Sequence, residues 1–230
     1  MAVSPAVKMS ENRSRALRGE LYYAFTEEMA GMRRRCAKAV HAFNHAGDVS
    51  RREAVELWRA IIDDTSPLPP ATSESDQYPA YPWVEPPIRI DYGTNVRIAE
   101  GVFINYNCTI LDTCILTIGA RTLIGPNVSL YAASHPLDPE VRNGTAGPED
   151  GKDITIEEDC WICGNVVVLA GVRIGRGSTV GAGSVVTKSV APYTIVAGNP
   201  ARFIKEAPRG TKAEITSGAL EALKMDQARQ

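Results

Sequence analysis

The residue of this chain best suited to chemistry is His135, the single histidine of the second half, which lies in the sequence Ser134-His135-Pro136. An imidazole has an ordinary pKa of about 6.5, so it can exchange a proton near neutral pH. The other two histidines, His41 and His45, lie in the N-terminal quarter. We therefore take His135 as the candidate functional residue. A catalytic metal site is not expected, because such a site needs several ligands gathered together.

The elements that must position His135 follow from a repeat of six residues. An aliphatic residue returns at every sixth position from residue 156 to residue 186, and a small or β-branched residue stands four places after each one. Neither a helix, with about 3.6 residues per turn, nor a strand, with a period of two, explains this spacing. A hexapeptide period is typical of a parallel β-helix, in which each repeat forms one flat side of a coil.

The coil is expected over residues 88–206, within an all-β core. The same repeat occurs at residues 98, 104 and 110 and then, two residues out of step, at residues 118, 124 and 130. It fails between Tyr131 and Asp153, so the chain leaves the coil there in a loop, 131–153, that contains His135. Long loops on a rigid scaffold commonly carry function.

The segments on either side of the coil have other patterns. Residues 1–65 form a small helical segment with apolar residues at helical spacing from Arg13 onward, which Gly31 is expected to divide. The capping box Ser50-x-x-Glu53 predicts the start of a third helix. Seven prolines in residues 66–87 indicate an extended linker, and residues 207–230 form a tail with a short helix at 213–223. The helical segment is too small for its own core, so we expect it to dock on the coil.

Composition limits the partners that this protein can have. A net charge of −2 over 230 residues provides no basic surface for nucleic acid, and the chain has no run of 18 apolar residues to span a membrane. The five cysteines show no disulfide spacing, and Cys108, Cys114 and Cys160 fall on the small core position of the repeat. We therefore expect reduced core thiols and a cytoplasmic protein.

Several short motifs are more specific than the repeat. They comprise Asp91-Tyr92-Gly93-x-Asn95, Asn105-Tyr106-Asn107, His135-Pro136, Cys160-Trp161-Ile162, the run from Gly181 to Lys188, and Gly198-Asn199-Pro200-Ala201-Arg202. On these motifs the chain resembles the maltose and galactoside O-acetyltransferases of the hexapeptide-repeat acyltransferase superfamily, over about residues 15–206. The resemblance implies a left-handed parallel β-helix and a homotrimer with active sites between subunits. It also implies direct acetyl transfer from acetyl-CoA to a sugar hydroxyl, with His135 as the base and no metal.

The resemblance assigns roles to individual residues. Four residues would contact the acceptor, namely Asp91, Asn105, Asp112 and Glu149, and Glu149 is an alternative partner to orient His135. Eight residues would contact the coenzyme, namely Asn105, Trp161, Gly164, Ala182, Thr187, Lys188, Arg202 and Lys205. Trp161 would form an apolar wall for the pantetheine arm, and Gly164 and Ala182 would present backbone groups. The polar and cationic residues at the C-terminal end of the coil would bind the phosphates.

Three residues depart from the family pattern; two of them leave the acceptor open, and the third alters the backbone beside the coenzyme. Thr113 replaces an acid, Ala24 replaces the aspartate of galactoside enzymes, and Cys163 replaces a glycine. An amino sugar, an antibiotic or a secondary metabolite is therefore an alternative acceptor. From a different class, a non-catalytic β-helix used for assembly is the remaining alternative, since solenoids often serve in this way.

Overall fold

The computed structural model describes residues 9–68, 70 and 78–209, so the predicted helix at 213–223 lies outside the described residues. The helices are α1 (Glu11–Leu17), α2 (Glu27–Asn44), α3 (Arg51–Ile62) and α4 (Pro139–Arg142), with a 3-10 turn at Gly144–Ala146. None of the helices in these ranges combines the length and the hydropathy needed to cross a membrane.

The strands are short and follow one another closely along the chain. They are β1 (Trp83–Val84), β2 (Ile88–Ile90), β3 (Val96–Ile98), β4 (Phe103–Ile104), β5 (Cys108–Leu111), β6 (Leu116–Ile118), β7 (Leu123–Ile124), β8 (Ser129–Tyr131), β9 (Ala133–Ser134), β10 (Asp150–Gly151), β11 (Ile154–Ile156), β12 (Trp161–Ile162), β13 (Val167–Val168), β14 (Arg173–Ile174), β15 (Thr179–Val180), β16 (Val185–Val186), β17 (Thr194–Ala197) and β18 (Arg202–Glu206).

Three parallel sheets form the sides of a coil. The first sheet has the order β1-β4-β7-β12-β15-β17, with β18 added antiparallel at its end; the second has the order β3-β6-β11-β14, and the third β2-β5-β8-β13-β16. Apart from the antiparallel pairs β9–β10 and β17–β18, successive strands belong to different sheets, so the chain winds around three sides. The predicted parallel β-helix is confirmed.

The six-residue repeat fills the interior of this coil. Its aliphatic residues from Ile156 to Val186 are at most 1% exposed, and the small residues four places later, including Ser178 and Ser184, are also buried. The residue three places after each of the first five aliphatic residues has a positive φ, and these residues are Asp159, Asn165, Gly171, Gly177 and Gly183. Asp, Asn and Gly adopt this conformation most readily. Each repeat thus encodes two core positions and one corner.

Helices α2 and α3 cover the first turn of the coil, as predicted. The Asn44 amide donates to the Ile88 carbonyl at 2.8 Å and accepts the Ile88 N–H at 2.9 Å, so it completes the hydrogen bonding of the outermost strand of the third sheet. The Arg35 guanidinium donates to the carbonyls of Ala60 and Ile61 at the end of α3 and to that of Tyr92 on the coil. Buried residues of both helices share one core with the coil.

Two features of the N-terminal part differ from the predictions. Gly31 lies inside α2, and the break between helices falls instead around Gly19, whose φ is 72° and where a Cβ atom would lie 2.5 Å from the Gly151 carbonyl oxygen. The proline-rich segment contains β1, so the coil begins before residue 88. Trp83 and Glu85 donate their N–H groups to Val102 and Ile104, and this one-sided pairing tolerates flanking prolines.

Candidate active site

Three successive turns of the coil carry extra residues at the same corner, where the chain passes from the third sheet to the second. Ile90 and Ile98 are eight residues apart instead of six, as are Ile110 and Ile118, and Leu130 is followed by the long loop. The insertions stack in consecutive turns because β2, β5 and β8 are neighbours in one sheet. This edge, called here the insertion corner, carries the sites of Asp91, Asp112, His135 and Glu149.

The long loop is an ordered hairpin, and His135 and Glu149 lie at one end of its paired strands. Strands β9 and β10 pair antiparallel, with Ser134 opposite Asp150 and Ala133 opposite Gly151. His135 directly follows β9 and Glu149 directly precedes β10, so the two residues lie at the same end of the paired strands. The His135 side chain is exposed, and within residues 9–68, 70 and 78–209 it makes no hydrogen bond or ion pair.

Glu149 is bound to the segment between α1 and α2. Its backbone exchanges two hydrogen bonds with Tyr22, at 3.0 and 2.9 Å, and its carboxylate accepts the Tyr22 hydroxyl at 2.8 Å. The Tyr22 side chain is 1% exposed, whereas Glu149 is half-buried. The N-terminal segment therefore holds one side of the hairpin.

Asp91 lies in the same charged environment. Burial raises the pKa of the Asp91 carboxyl; the Arg33 guanidinium opposes this rise, and the Glu149 carboxylate adds to it. Arg33 reaches the corner from α2, where it donates to the Tyr92 hydroxyl at 2.6 Å and to the Ala24 carbonyl at 2.7 Å. One guanidinium and two carboxylates thus influence one another at the insertion corner.

The sequence interpretation missed Arg33 and Tyr22. A signal for Arg33 was present, because it stands four residues after Met29 and three before Cys36, both of which are buried. An arginine on the buried face of a helix indicates a polar partner or a site. No comparable signal marks Tyr22, whose partner is 127 residues away in the sequence.

Asp112 corrects the prediction that it contacts the acceptor. It is 0% exposed, and its two carboxylate oxygens accept the backbone N–H groups of Tyr92 at 2.8 Å and Asn95 at 3.3 Å. The Asn95 amide donates in return to the Asp112 carbonyl at 2.6 Å. Asp112 therefore has no surface for an acceptor and instead fixes the turn that carries Asp91.

A second group of predicted residues lies at the corner between the first and third sheets. Asn105, Trp161 and Gly164 line a cleft of about 280 Å³ together with Phe103, Leu123, Ile124, Gly125, Pro126 and Cys163. This tryptophan cleft has an apolar wall, because Trp161 stands on the outer face of β12 with 54% of its surface exposed. Within the described part of the chain, the Gly164 N–H donates no hydrogen bond.

Cys163 modifies this cleft. Burial raises the pKa of its thiol, and a hydrogen bond from the Ala182 backbone opposes the rise. Cys163 therefore lies beside the Ala182 backbone, which was predicted to contact the coenzyme.

The cationic residues lie at the C-terminal end of the coil. Lys188 and Arg202 line a cleft of about 620 Å³ that also contains Tyr193, Glu206 and Arg209. This terminal cleft is positive on balance, and the Arg209 guanidinium lies 4.3 Å from the centre of the Tyr193 ring. Thr187 and Lys205 are exposed nearby on the chain but outside the lining of the cleft. Arg209 was not among the predicted residues.

The predicted residues therefore occupy different edges of one chain. Asp91, His135 and Glu149 lie in the connections that run from the third sheet to the second, whereas Asn105 and Gly164 follow strands of the first sheet. A full side of the coil separates the two corners. The single chain does not bring Asn105 next to His135.

Comparisons with known proteins identify the class to which this fold belongs. Residues 153–188 match the bacterial transferase hexapeptide, a family of six repeats, and residues 15–66 match the maltose acetyltransferase hexapeptide capping motif. The capping motif covers the helical segment that packs on the first turn of the coil. The fold is that of a hexapeptide-repeat acyltransferase with a maltose acetyltransferase cap.

Individual relatives identify the family within this class. The chain is 34% identical to the galactoside O-acetyltransferase of Escherichia coli K12 over 192 residues, which cover 82% of this chain and 85% of the relative. A maltose O-acetyltransferase from Clostridium difficile 630 has a TM-score of 0.77 at 33% identity, covering 88% of this chain and 100% of that one. The chain belongs to the maltose and galactoside O-acetyltransferase family, and it is an acetyltransferase.

One solved relative contains the acetyl donor. A hexapeptide-repeat acetyltransferase from Vibrio cholerae, determined in complex with acetyl-CoA, has a TM-score of 0.70 at 32% identity. The alignment covers 87% of this chain and 100% of that one. Acetyl-CoA is thus the donor bound by a close structural relative.

Proposed function

We propose that this protein transfers the acetyl group of acetyl-CoA directly to a hydroxyl of a sugar, with His135 as the general base. The observation that carries the proposal is the β9–β10 hairpin, whose paired strands end beside His135 and Glu149 at the corner that also holds Asp91. An exposed imidazole on an ordered hairpin is accessible to an acceptor, and the carboxylates and Arg33 supply hydrogen-bonding groups for its other hydroxyls.

In the proposed reaction, His135 removes the proton of the acceptor hydroxyl as its oxygen attacks the thioester carbonyl. The carbon–oxygen bond forms, the carbon–sulfur bond breaks, and the imidazolium returns the proton to the departing thiolate. The products are an O-acetyl sugar and CoA. Glu149 is at the same end of the hairpin as His135, and its carboxylate would orient the ring and stabilise its protonated form.

The tryptophan cleft would hold the acyl end of the coenzyme. Trp161 offers an exposed apolar face to the pantetheine arm, and the Gly164 N–H is available to polarise the thioester carbonyl. Asn105 lines the same cleft. Lys188 and Arg202, with Arg209, would attract the phosphates at the terminal cleft, and Thr187 and Lys205 would add outer contacts.

A homotrimer would complete the site. The tryptophan cleft and His135 lie at different corners of the coil, so a coenzyme in the cleft of one chain reaches the base only if a neighbouring chain supplies it. A cyclic arrangement of three chains joins each corner of one kind to a corner of the other kind. The complete site would then lie between subunits.

A second class of acceptor is considered beside the neutral sugars. The carboxyl groups of Asp91 and Glu149 offer hydrogen-bond acceptors to the amino group of an amino sugar, so this class is the second candidate. The hydroxyl chemistry at His135 is the same for both acceptors. A neutral maltose-, glucose- or galactoside-like sugar remains the first proposal because of the family to which the chain belongs.

The test is release of free CoA thiol from acetyl-CoA with maltose, glucose, a galactoside, glucosamine and hydroxylated antibiotics. Acceptor-dependent release is expected, and His135→Ala should lower kcat about 10²–10⁴-fold with little change in the acetyl-CoA KM. His41→Ala, an exposed histidine on α2, is the matched control and should behave as wild type. Equal activity of His135→Ala and wild type would remove the histidine from the mechanism. Sedimentation would report the trimer.

A further inference from the structure

We propose that Tyr22 is a positioning residue for this reaction: its hydroxyl holds the Glu149 carboxylate in place beside His135. The proposal rests on the proposed function and extends it to the N-terminal segment. Tyr22 precedes α2 by five residues and is separated from Glu149 by 127 positions in the sequence, yet the side chains are joined at 2.8 Å.

The hydroxyl of Tyr22 has one proton, and the structure accounts for where it goes. The phenol donates to Glu149 at 2.8 Å, and the Thr113 hydroxyl lies 3.4 Å from the same phenolic oxygen. Because a phenol has a single O–H, Thr113 is left to donate to Tyr22. The chain of hydrogen bonds therefore runs from Thr113 through Tyr22 to the Glu149 carboxylate.

Tyr22 remains a hydrogen-bond donor over the pH range in which enzymes work. Burial raises the pKa of its phenol above the ordinary value, and the Glu149 carboxylate acts in the same direction. The phenol thus stays protonated and remains a donor. The residue is 1% exposed, so no water competes for the bond from the Tyr22 side.

The surrounding backbone makes the contact rigid. Two hydrogen bonds join the backbones of Tyr22 and Glu149, and the Cys114 thiol donates to the Ala16 carbonyl at 3.1 Å. Gly19 packs so closely on the Gly151 carbonyl that a Cβ atom there would lie 2.5 Å away. The segment and the hairpin strand that follows Glu149 therefore lie against each other. The Tyr22 hydroxyl adds a side-chain contact to the Glu149 carboxylate itself.

The experiment compares Tyr22→Phe, Glu149→Gln and the double variant. Tyr22→Phe keeps the ring and the backbone contacts, so we expect kcat to fall about tenfold with the acetyl-CoA KM within about twofold of wild type. If Tyr22 acts through Glu149, the double variant should be no slower than Glu149→Gln. Tyr78→Phe is the matched control, because Tyr78 is also buried and its hydroxyl accepts a hydrogen bond from Arg52, at 2.6 Å, on α3.

Wild-type kcat in Tyr22→Phe would overturn the proposal. Losses that multiply in the double variant, together with a melting temperature lowered as in Tyr78→Phe, would assign Tyr22 a structural role alone. Amide hydrogen exchange of residues 134–150 is a readout that needs no acceptor. It should rise in Tyr22→Phe and not in Tyr78→Phe. If wild type transfers no acetyl group, the proposed function fails, and unchanged exchange would separately reject the positioning contact.

Discussion

The carboxylate of Asp112 accepts the backbone N–H of Tyr92 at 2.8 Å, and this bond joins two successive turns of the coil at the corner where they carry inserted residues. The contact is fully buried, and desolvation raises the pKa of Asp112 to about 7 although the N–H groups of Tyr92 and Asn95 oppose the rise. The insertion corner therefore rests on a carboxyl group that titrates near neutral pH.

This titration predicts a dependence of stability on pH. Asp112 binds its proton more tightly in the folded chain than in the unfolded chain, where the pKa is about 3.8, so its contribution is greatest below about pH 4 and is lost as the pH rises through about 7. We expect the free energy of unfolding to decline between pH 5 and pH 8, as measured by urea titration. The decline should be smaller in Asp112→Asn. Asp48→Asn, on an exposed loop, should keep the wild-type slope.

The two exposed tryptophans of the first sheet provide a test of the tryptophan cleft. Trp161 and Trp83 are 54% and 52% exposed, but only Trp161 lines the cleft with Asn105 and Gly164. Trp161→Ala should raise the acetyl-CoA KM about tenfold, because the pantetheine arm loses an apolar wall. Trp83→Ala should leave it unchanged. Initial rates at varied acetyl-CoA concentrations give this KM. Equal effects of the two variants would show that the tryptophan cleft does not bind the coenzyme.

The cations of the terminal cleft predict that charge reversal raises the KM for acetyl-CoA. Lys188→Glu and Arg202→Glu should each raise the acetyl-CoA KM about tenfold or more and leave the acceptor KM within about twofold, since loss of a charge-assisted hydrogen bond is coupled to repulsion of the phosphates. Lys38→Glu, an exposed cation on α2, is the control. An unchanged coenzyme KM would remove both residues from the site.

The burial of the cysteines predicts the order in which their thiols react with a labelling reagent. Burial raises the pKa of Cys36 to about 12 and that of Cys108, Cys114 and Cys160 to about 11, so these thiols should react only after unfolding. Cys163 is half-buried in the tryptophan cleft and should label first. Saturating acetyl-CoA should slow that reaction, and Cys163→Ser should abolish it. Prompt labelling of three or more thiols would contradict the register of the coil.

The sequence predicted the features of this protein that depend on local period. The inward residues at every sixth position, the buried cysteines and the Ser50 N-cap of α3 were all readable, because each depends on neighbours only a few residues away. The break between the first helices was placed wrongly at Gly31, since a glycine inside a helix costs only about 1 kcal/mol and packing overrides it. Strand β1 was not predicted, because proline lacks a backbone N–H and a proline-rich segment does not resemble a strand.

The candidate site depended on the tertiary structure. Asp91, Asp112 and His135 are each marked by a motif, but only the stacking of the turns shows that their insertions share one corner, and only burial shows that Asp112 supports that corner from inside. The bond between Tyr22 and Glu149 has no sequence signal at all. A repeat specifies which residues face inward; which distant residues meet is decided by how the hairpin and the N-terminal segment pack together.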